Sequence, residues 1–216
     1  RARYAALDEA AERHGAPVVL LGHTLDDQAE TVLLALARGA GPRGLSGMGA
    51  RRGRYRRPFL TLPRATTVAA CAELGLAAWQ DPHNADPAYT RSRLRGAMAE
   101  LTGLLGPGLV PNLARTATLI AADTEVLDGQ AAAVLARLWG DAGLDAVALA
   151  AEPTAIRTRV LHSYARALGV SGSALAARHV TALDALLTNW HGQGPVHLPG
   201  ALTIRRHHNH LTPTTT

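Results

Sequence analysis

The chain has 216 residues, 47% of them apolar, enough for one full hydrophobic core or two smaller ones. All 22 of its basic Lys/Arg positions are arginine, against 17 acids, and the resulting net charge of +5 favours a polyanionic partner such as nucleic acid. A single cysteine, Cys71, excludes a disulfide framework or a cysteine-bound metal within the chain, and no run reaches the roughly 20 apolar residues of a membrane helix, so the chain reads as soluble and cytoplasmic.

The arginine usage has a plainer account, genome composition, which explains the absence of lysine but not the excess of positive charge. The first residue is Arg1, and it falls inside a helical pattern of Tyr4, Leu7 and Ala11 that stops at Gly15. A chain that starts this way is expected to be a fragment beginning inside a domain. Pro17 to Gly22 is a short apolar run between breakers, the pattern of a strand buried on both faces of a parallel sheet. His23 and Thr24 turn the chain, and Thr24 can cap a helix whose apolar face is Ala29, Val32, Leu33 and Leu36.

A glycine-rich stretch follows (Gly39 to Gly49), then a basic run, then a second apolar run over Pro58 to Leu62 read as another strand. A helix over Thr66 to Leu74 closes at Gly75. The order helix, strand, helix, strand, helix predicts an α/β fold, the back half of a doubly wound parallel-sheet nucleotide-binding domain, with the first strands expected upstream of Arg1.

From Gln80 to Tyr89 two prolines and no apolar period indicate a loop. Helices are predicted over Arg91 to Leu105, Leu109 to Leu138, Thr154 to Leu168 and Ser173 to Trp190, then a hairpin over Val196 to Leu211 around Pro199-Gly200, with Thr212 to Thr216 frayed. The predicted organisation is therefore an α/β half-domain over 1–78, a linker over 79–95, and a mainly helical second domain over 96–216.

The chemistry concentrates in Gly22-His23-Thr24-Leu25-Asp26-Asp27-Gln28-Ala29-Glu30-Thr31. In open α/β sheets ligands sit beyond the carboxyl ends of strands, where helix N-terminal amides favour anionic groups, and this segment occupies that place. Asp26, Asp27 and Glu30 are hard oxygen donors of the type that suits Mg²⁺ held mainly through substrate phosphates, and His23 can contact a base or a phosphate. The plainer account is that two acids in a first helical turn only complement the helix dipole.

That segment, continuing into Leu34-Ala35-Leu36-Ala37-Arg38-Gly39 and Gly44-Leu45-Ser46-Gly47-Met48, resembles the signature of the tRNA(Ile)-lysidine synthetase family of PP-loop ATP pyrophosphatases. Arg57-Pro58-Phe59-Leu60 is similar to the family's Arg-Pro-Leu-Leu segment. Asp81-Pro82, Asn84 and Arg91-Ser92-Arg93-Leu94-Arg95 are similar to its Asp-Pro-Ser-Asn and Arg-Asn-x-x-Arg segments, and together the matches cover about Arg1 to Arg95 in order. Two departures stand out. Ser92 replaces an asparagine, and the Ser-Gly-Gly-x-Asp-Ser loop that grips the pyrophosphate of ATP does not occur in this chain, which the resemblance would place upstream of Arg1.

The resemblance implies that ATP activates the C2 oxygen of the wobble cytidine in a tRNA(Ile) with a CAU anticodon and that the ε-amine of free lysine displaces AMP. It implies catalytic roles for Asp26, Asp27 and Arg95, with Mg²⁺ on Asp26 and Asp27, and nucleotide contacts at Gly22, His23 and Glu30. Contacts to tRNA are implied at Arg38, Arg52, Arg54, Arg56, Arg57 and Arg91. The basic run Arg51, Arg52, Arg54, Arg56 and Arg57 is by charge alone a candidate phosphate-backbone contact, and its plainer account is a solvated loop. Arg157, Arg159, Arg166 and Arg178 fall where tRNA recognition would lie. His207, His208 and His210 form a cluster without nearby carboxylate or cysteine, a poor metal site. Homodimerisation stays open, no membrane partner is implied, and a fragment lacking the pyrophosphate loop is expected not to turn over ATP. The competing readings are a PP-loop tRNA thiolase, disfavoured by the lone Cys71, and a non-catalytic tRNA-binding module.

Overall fold

The computed structural model describes residues 2–79, 81–84, 86–172 and 174–215. Gln80, opening the expected loop, and Ser173, opening the last expected long helix, lie outside the described residues. Contacts divide the chain into two units, Arg1–Thr124 and Glu125–Thr216. The linker expected over 79–95 lies within the first of these units.

In the first unit, α1 (Ala2–Arg13) ends before Gly15, whose φ of +60° a glycine adopts without strain. Strand β1 (Val19–Leu20) pairs in parallel with β3 (Tyr55–Arg56), and β2 (Arg51–Arg52) pairs antiparallel on the other side of β3. The second strand expected over Pro58 to Leu62 is instead a series of turns. Pro58 has no N–H to donate to a ladder, so pairing stops at Arg57, whose N–H still reaches Ala50 O at 2.9 Å. The burial expected for β1 on both faces also differs, because Leu20 is 70% exposed while the next residue, Leu21, is buried.

Helix α2 (Leu25–Ala37) buries Ala29 and Val32 as its 3.6-residue period dictates, whereas Leu36, one turn on, stays exposed. The glycine-rich stretch holds one short helix, α3 (Pro42–Leu45), and is tied to α2 by a side-chain amide. Gln28 Nε2 donates to Met48 O at 3.1 Å, and Met48 N donates to Gln28 Oε1 at 2.7 Å. Gly47, with φ +64°, makes this clasp feasible, since a Cβ there would lie 2.7 Å from the Gln28 amide. Helix α4 (Arg64–Glu73), a 3₁₀ turn (Pro82–Asn84), α5 (Thr90–Leu105) and the start of α6 (Leu109–Leu138) complete the unit, the division falling inside α6.

The second unit sets α7 (Ala146–Ala150), α8 (Thr154–Ala167) and α9 (Ala177–Thr188) with β4 (Trp139–Gly140), β5 (Gly143–Asp145), β6 (Val196–Leu198), β7 (Leu202–His207) and β8 (His210–Thr215). The strands form one antiparallel sheet in the order β4-β5-β8-β7-β6. The hairpin expected around Pro199-Gly200 is β6–β7, and the tail read as frayed is β8, in register with β7 from His207↔His210 to Leu202↔Thr215. Its threonines carry no apolar period, but their β-branched side chains suit a strand once a neighbour supplies backbone partners.

The core of this unit includes Val160, Leu161, Leu183, Leu186, Ile204 and Leu211, all fully buried, each aliphatic side chain stabilising the fold by about 1.5–3 kcal/mol. Tyr164, also fully buried, donates its hydroxyl to Leu211 O at 3.0 Å, and burial pushes that hydroxyl up to about 12.

Candidate functional site

The turn after β1 carries Gly22, His23 and Thr24 into the start of α2. Asp27, on the first turn of α2, reaches back: its Oδ2 accepts from Thr24 N at 2.9 Å and from Thr24 Oγ1 at 3.0 Å. The carboxylate, not the threonine hydroxyl, therefore closes this helix start. Its other oxygen, Oδ1, accepts from Arg64 Nη2 at 3.1 Å and Arg95 Nη2 at 3.0 Å. Burial alone would raise the Asp27 carboxyl, but the two Thr24 hydrogen bonds and the Arg64 and Arg95 charges outweigh it and hold it below the usual carboxylate range.

One turn along α2, Glu30 is 1% exposed and lies under the same arginines. Arg95 grips it with Nε to Oε1 at 2.8 Å and Nη2 to Oε2 at 3.0 Å, and Arg64 Nη2 reaches Oε1 at 3.1 Å. The hydrogen bonds to Glu30 hold the Arg95 guanidinium above its usual value, outweighing burial. Arg91 Nε lies 3.3 Å from Glu30 Oε2, close enough to attract but without hydrogen-bond geometry, while its Nη2 donates to Thr31 Oγ1. Three guanidinium groups from α4 and α5 thus meet two carboxylates of α2, leaving an excess of one positive charge.

A cleft of about 340 Å³ opens over this cluster, lined by Arg3, Gly22, His23, Thr24, Asp27, Arg64, Thr67, Asn84, Arg91 and Arg95. A second hollow of about 800 Å³ shares Arg3, Asn84, Arg91 and Arg95 with it and adds Tyr89 and Ser92. Of the residues predicted from sequence, the fold brings Gly22, His23, Asp27, Arg91 and Arg95 to one cleft, with Glu30 beneath them.

Asp26 does something other than expected. Its Oδ2 accepts from Arg64 N at 2.6 Å, so it caps the N-terminus of α4, where Pro63 offers no side-chain acceptor. Nor do Asp26 and Asp27 fit Mg²⁺ by themselves. Both oxygens of Asp27 already accept from Thr24 or arginine, Asp26 Oδ2 accepts from the Arg64 N–H, and no group of three His, Cys, Asp or Glu side chains suited to a metal occurs among the described residues.

The basic run is likewise divided by the fold. Arg52 is exposed beside a hollow lined by Tyr4, Asp8 and Tyr55, its guanidinium carbon 6.0 Å from the Tyr4 ring. Arg54 is paired with Asp8 and Glu12, each at 3.8 Å, and Arg56 donates to Tyr55 O at 3.0 Å and to Gly53 O. Arg57 is only 5% exposed and is not available to a phosphate backbone. Arg38, the C-cap of α2, is exposed and does not line the cleft. In the second unit Arg157 is bound by Asp184 and Arg159 by Asp128, so both serve packing.

Arg64 and Arg3 went unnoticed in the sequence. The three acids of α2 require cations nearby, but nothing in the spacing says that the first residue of α4 supplies one.

A strand, a turn and a helix start enclosing a cationic cleft are the geometry of an anion-handling α/β enzyme. Comparison with known families agrees: residues 1–101 match the PP-loop domain, and residues 144–212 match the TilS substrate binding domain. The chain is 55% identical over 98% of its length to a tRNA(Ile)-lysidine synthase of Salinispora tropica, covering 66% of that protein. It is 54% identical over 95% of its length to those of Thermobifida fusca and Streptomyces coelicolor, covering 64% and 60% of them. The chain belongs to the tRNA(Ile)-lysidine synthase family. It spans a little less than two thirds of the length of these relatives.

Proposed function

We propose that this chain forms part of an ATP-dependent ligase that joins the ε-amine of free lysine to the wobble cytidine of a tRNA(Ile) with a CAU anticodon, giving lysidine. The observation that carries this reading is the cationic cleft at the carboxyl end of β1, where Asp27 and Glu30 hold Arg64, Arg91 and Arg95. ATP bound there transfers its adenylyl group to the C2 oxygen of the cytidine with release of pyrophosphate, and the lysine ε-amine then bonds to C2 as AMP departs with that oxygen.

The residues act through fixed charge. Asp27 is ionised with both oxygens engaged, so it serves to aim Arg95 and Arg64 rather than to take a proton. Arg95 and Arg91 face the cleft and offset the negative charge that develops on the activated cytidine, in a geometry that needs no rearrangement as the reaction proceeds. Glu30, buried beneath, keeps Arg95 in one orientation through its bidentate contact. No step is assigned to Mg²⁺. Recognition of tRNA is assigned to the exposed Arg52 and to the second part of the chain, where the substrate-binding match lies.

The test uses the intact protein with ATP, labelled lysine and two transcripts, tRNA(Ile) with the CAU anticodon and the same molecule with its wobble base exchanged. Label should enter the first and not the second. Equal labelling of both, or of neither, overturns the assignment.

A further inference from the structure

Arg57 is a buried cation, and none of the three acceptors of its guanidinium is a carboxylate. Its Nη1 donates to Gly49 O at 2.7 Å, its Nη2 to Tyr4 Oη at 3.1 Å, and its Nε to His23 Nδ1 at 3.3 Å. Burying a guanidinium without a carboxylate is costly, so the contacts it makes here are those the fold tolerates the charge for.

The contact with His23 has only one chemical form. A guanidinium is always protonated in a protein, so Arg57 Nε can only donate. Nδ1 must then present its lone pair, and the neutral ring must carry its hydrogen on Nε2. Protonating Nδ1 would set N–H against N–H. We infer that Arg57 is the positioning residue of His23, fixing the imidazole as the tautomer with its hydrogen on Nε2, the nitrogen left to meet an oxygen acceptor of a ligand in the cleft.

The surroundings of His23 act in the same direction. Burial lowers its pKa most, and the positive charges of Arg57, Arg3 and Arg91 lower it further, with Asp27 the opposing group. The ring lines the cleft beside Asp27, Arg91 and Arg95. An uncharged donor in that place can approach an oxygen without adding to the repulsion among these arginines. The backbone of Arg57 is fixed as well, because its N–H donates to Ala50 O, so the guanidinium is anchored from both ends.

The use of Nε2 by a ligand rests on the function proposed above, whereas the tautomer does not. The test is long-range ¹H–¹⁵N correlation spectroscopy on the folded chain, with the His23 signals identified among the ten histidines by their loss in His23→Gln. At neutral pH the wild type should show an unprotonated Nδ1 and a protonated Nε2, titrating below the ordinary value of 6.5. Arg57→Met, which removes the donor at similar length, should give a tautomer mixture and move the midpoint up towards 6.5. Arg57→Lys, keeping charge and a donor, should restore the Nε2–H form. A wild-type His23 protonated on Nδ1 overturns the inference, and so does a folded Arg57→Met with unchanged ring signals. Should Arg57→Met fail to fold, the wild-type spectrum decides by itself. Failure of lysine transfer in the intact protein would remove the proposed function and leave this spectrum unchanged.

Discussion

Arg95 Nη2 stands 3.0 Å from Asp27 Oδ1, joining the first turn of α2 to α5 across 68 residues of sequence. The same guanidinium grips Glu30, so one side chain holds both acids of the α2 face and presents its remaining edge to the cleft. The consequence is a division of labour among residues that look equivalent in sequence: Asp27 aims arginines, Glu30 anchors them, and Asp26 caps a different helix.

Replacing Arg95 with alanine in the intact protein should lower the single-turnover rate of lysidine formation about 100- to 1,000-fold, the range for removing one prearranged charge donor. Asp27→Asn should fall in the same range, since the neutral amide loses the charge that holds both arginines and must turn its NH2 towards either the Thr24 N–H or the two guanidinium groups. Binding of tRNA, followed separately by filter retention, should change only a few-fold. Normal turnover with lost binding would place these residues in recognition instead.

Glu30→Gln should destabilise the chain by about 2–4 kcal/mol, because it leaves up to three guanidinium groups facing a neutral buried side chain. Arg13→Ala, breaking the exposed pair with Glu9, serves as the control and should stay within about 0.5 kcal/mol. Urea melts of both variants make the comparison. Equal midpoints would show that Glu30 is not holding the cluster.

Asp27 also sets a pH signature. Its folded pKa lies below the unfolded value of about 3.8, so the folded state binds fewer protons and the stabilisation is fully present above that value. It is lost as the pH falls through the depressed folded pKa. Thermal melts of the wild type and Asp27→Asn should therefore differ by a constant amount at neutral pH and converge below about pH 3.8. A difference that closes nearer neutrality would assign it to another group.

Binding of tRNA to the folded chain should weaken with salt, each neutralised phosphate contributing about 0.9 to the slope of log affinity against log salt. Arg51→Ala with Arg52→Ala, both exposed, should flatten that slope by about 2. Arg54→Ala should leave it nearly unchanged, because Arg54 is already paired with Asp8 and Glu12. The reverse ranking would show that these ion pairs open on binding.

The amino-acid sequence by itself determined the local elements with strong punctuation. The end of α1 at Gly15, the closure of α4 at Gly75, the long helix Leu109–Leu138 and the hairpin at Pro199-Gly200 are all written in periodicity and turn residues. It also placed Gly22, His23 and Asp27 at a strand end, because that position follows from local order alone. The tertiary structure decided which backbone pairs with which: the second strand expected over Pro58–Leu62 lies instead at Tyr55–Arg56, paired with β1, and the threonine tail joins the sheet. It alone decided the fate of each charge. Arg54, Arg57, Arg91, Arg95 and Arg157 are the same residue type with the same intrinsic chemistry. Whether one pairs with an acid, orients a histidine or lines a cleft depends on burial and on partners up to 68 residues away, which no local pattern records.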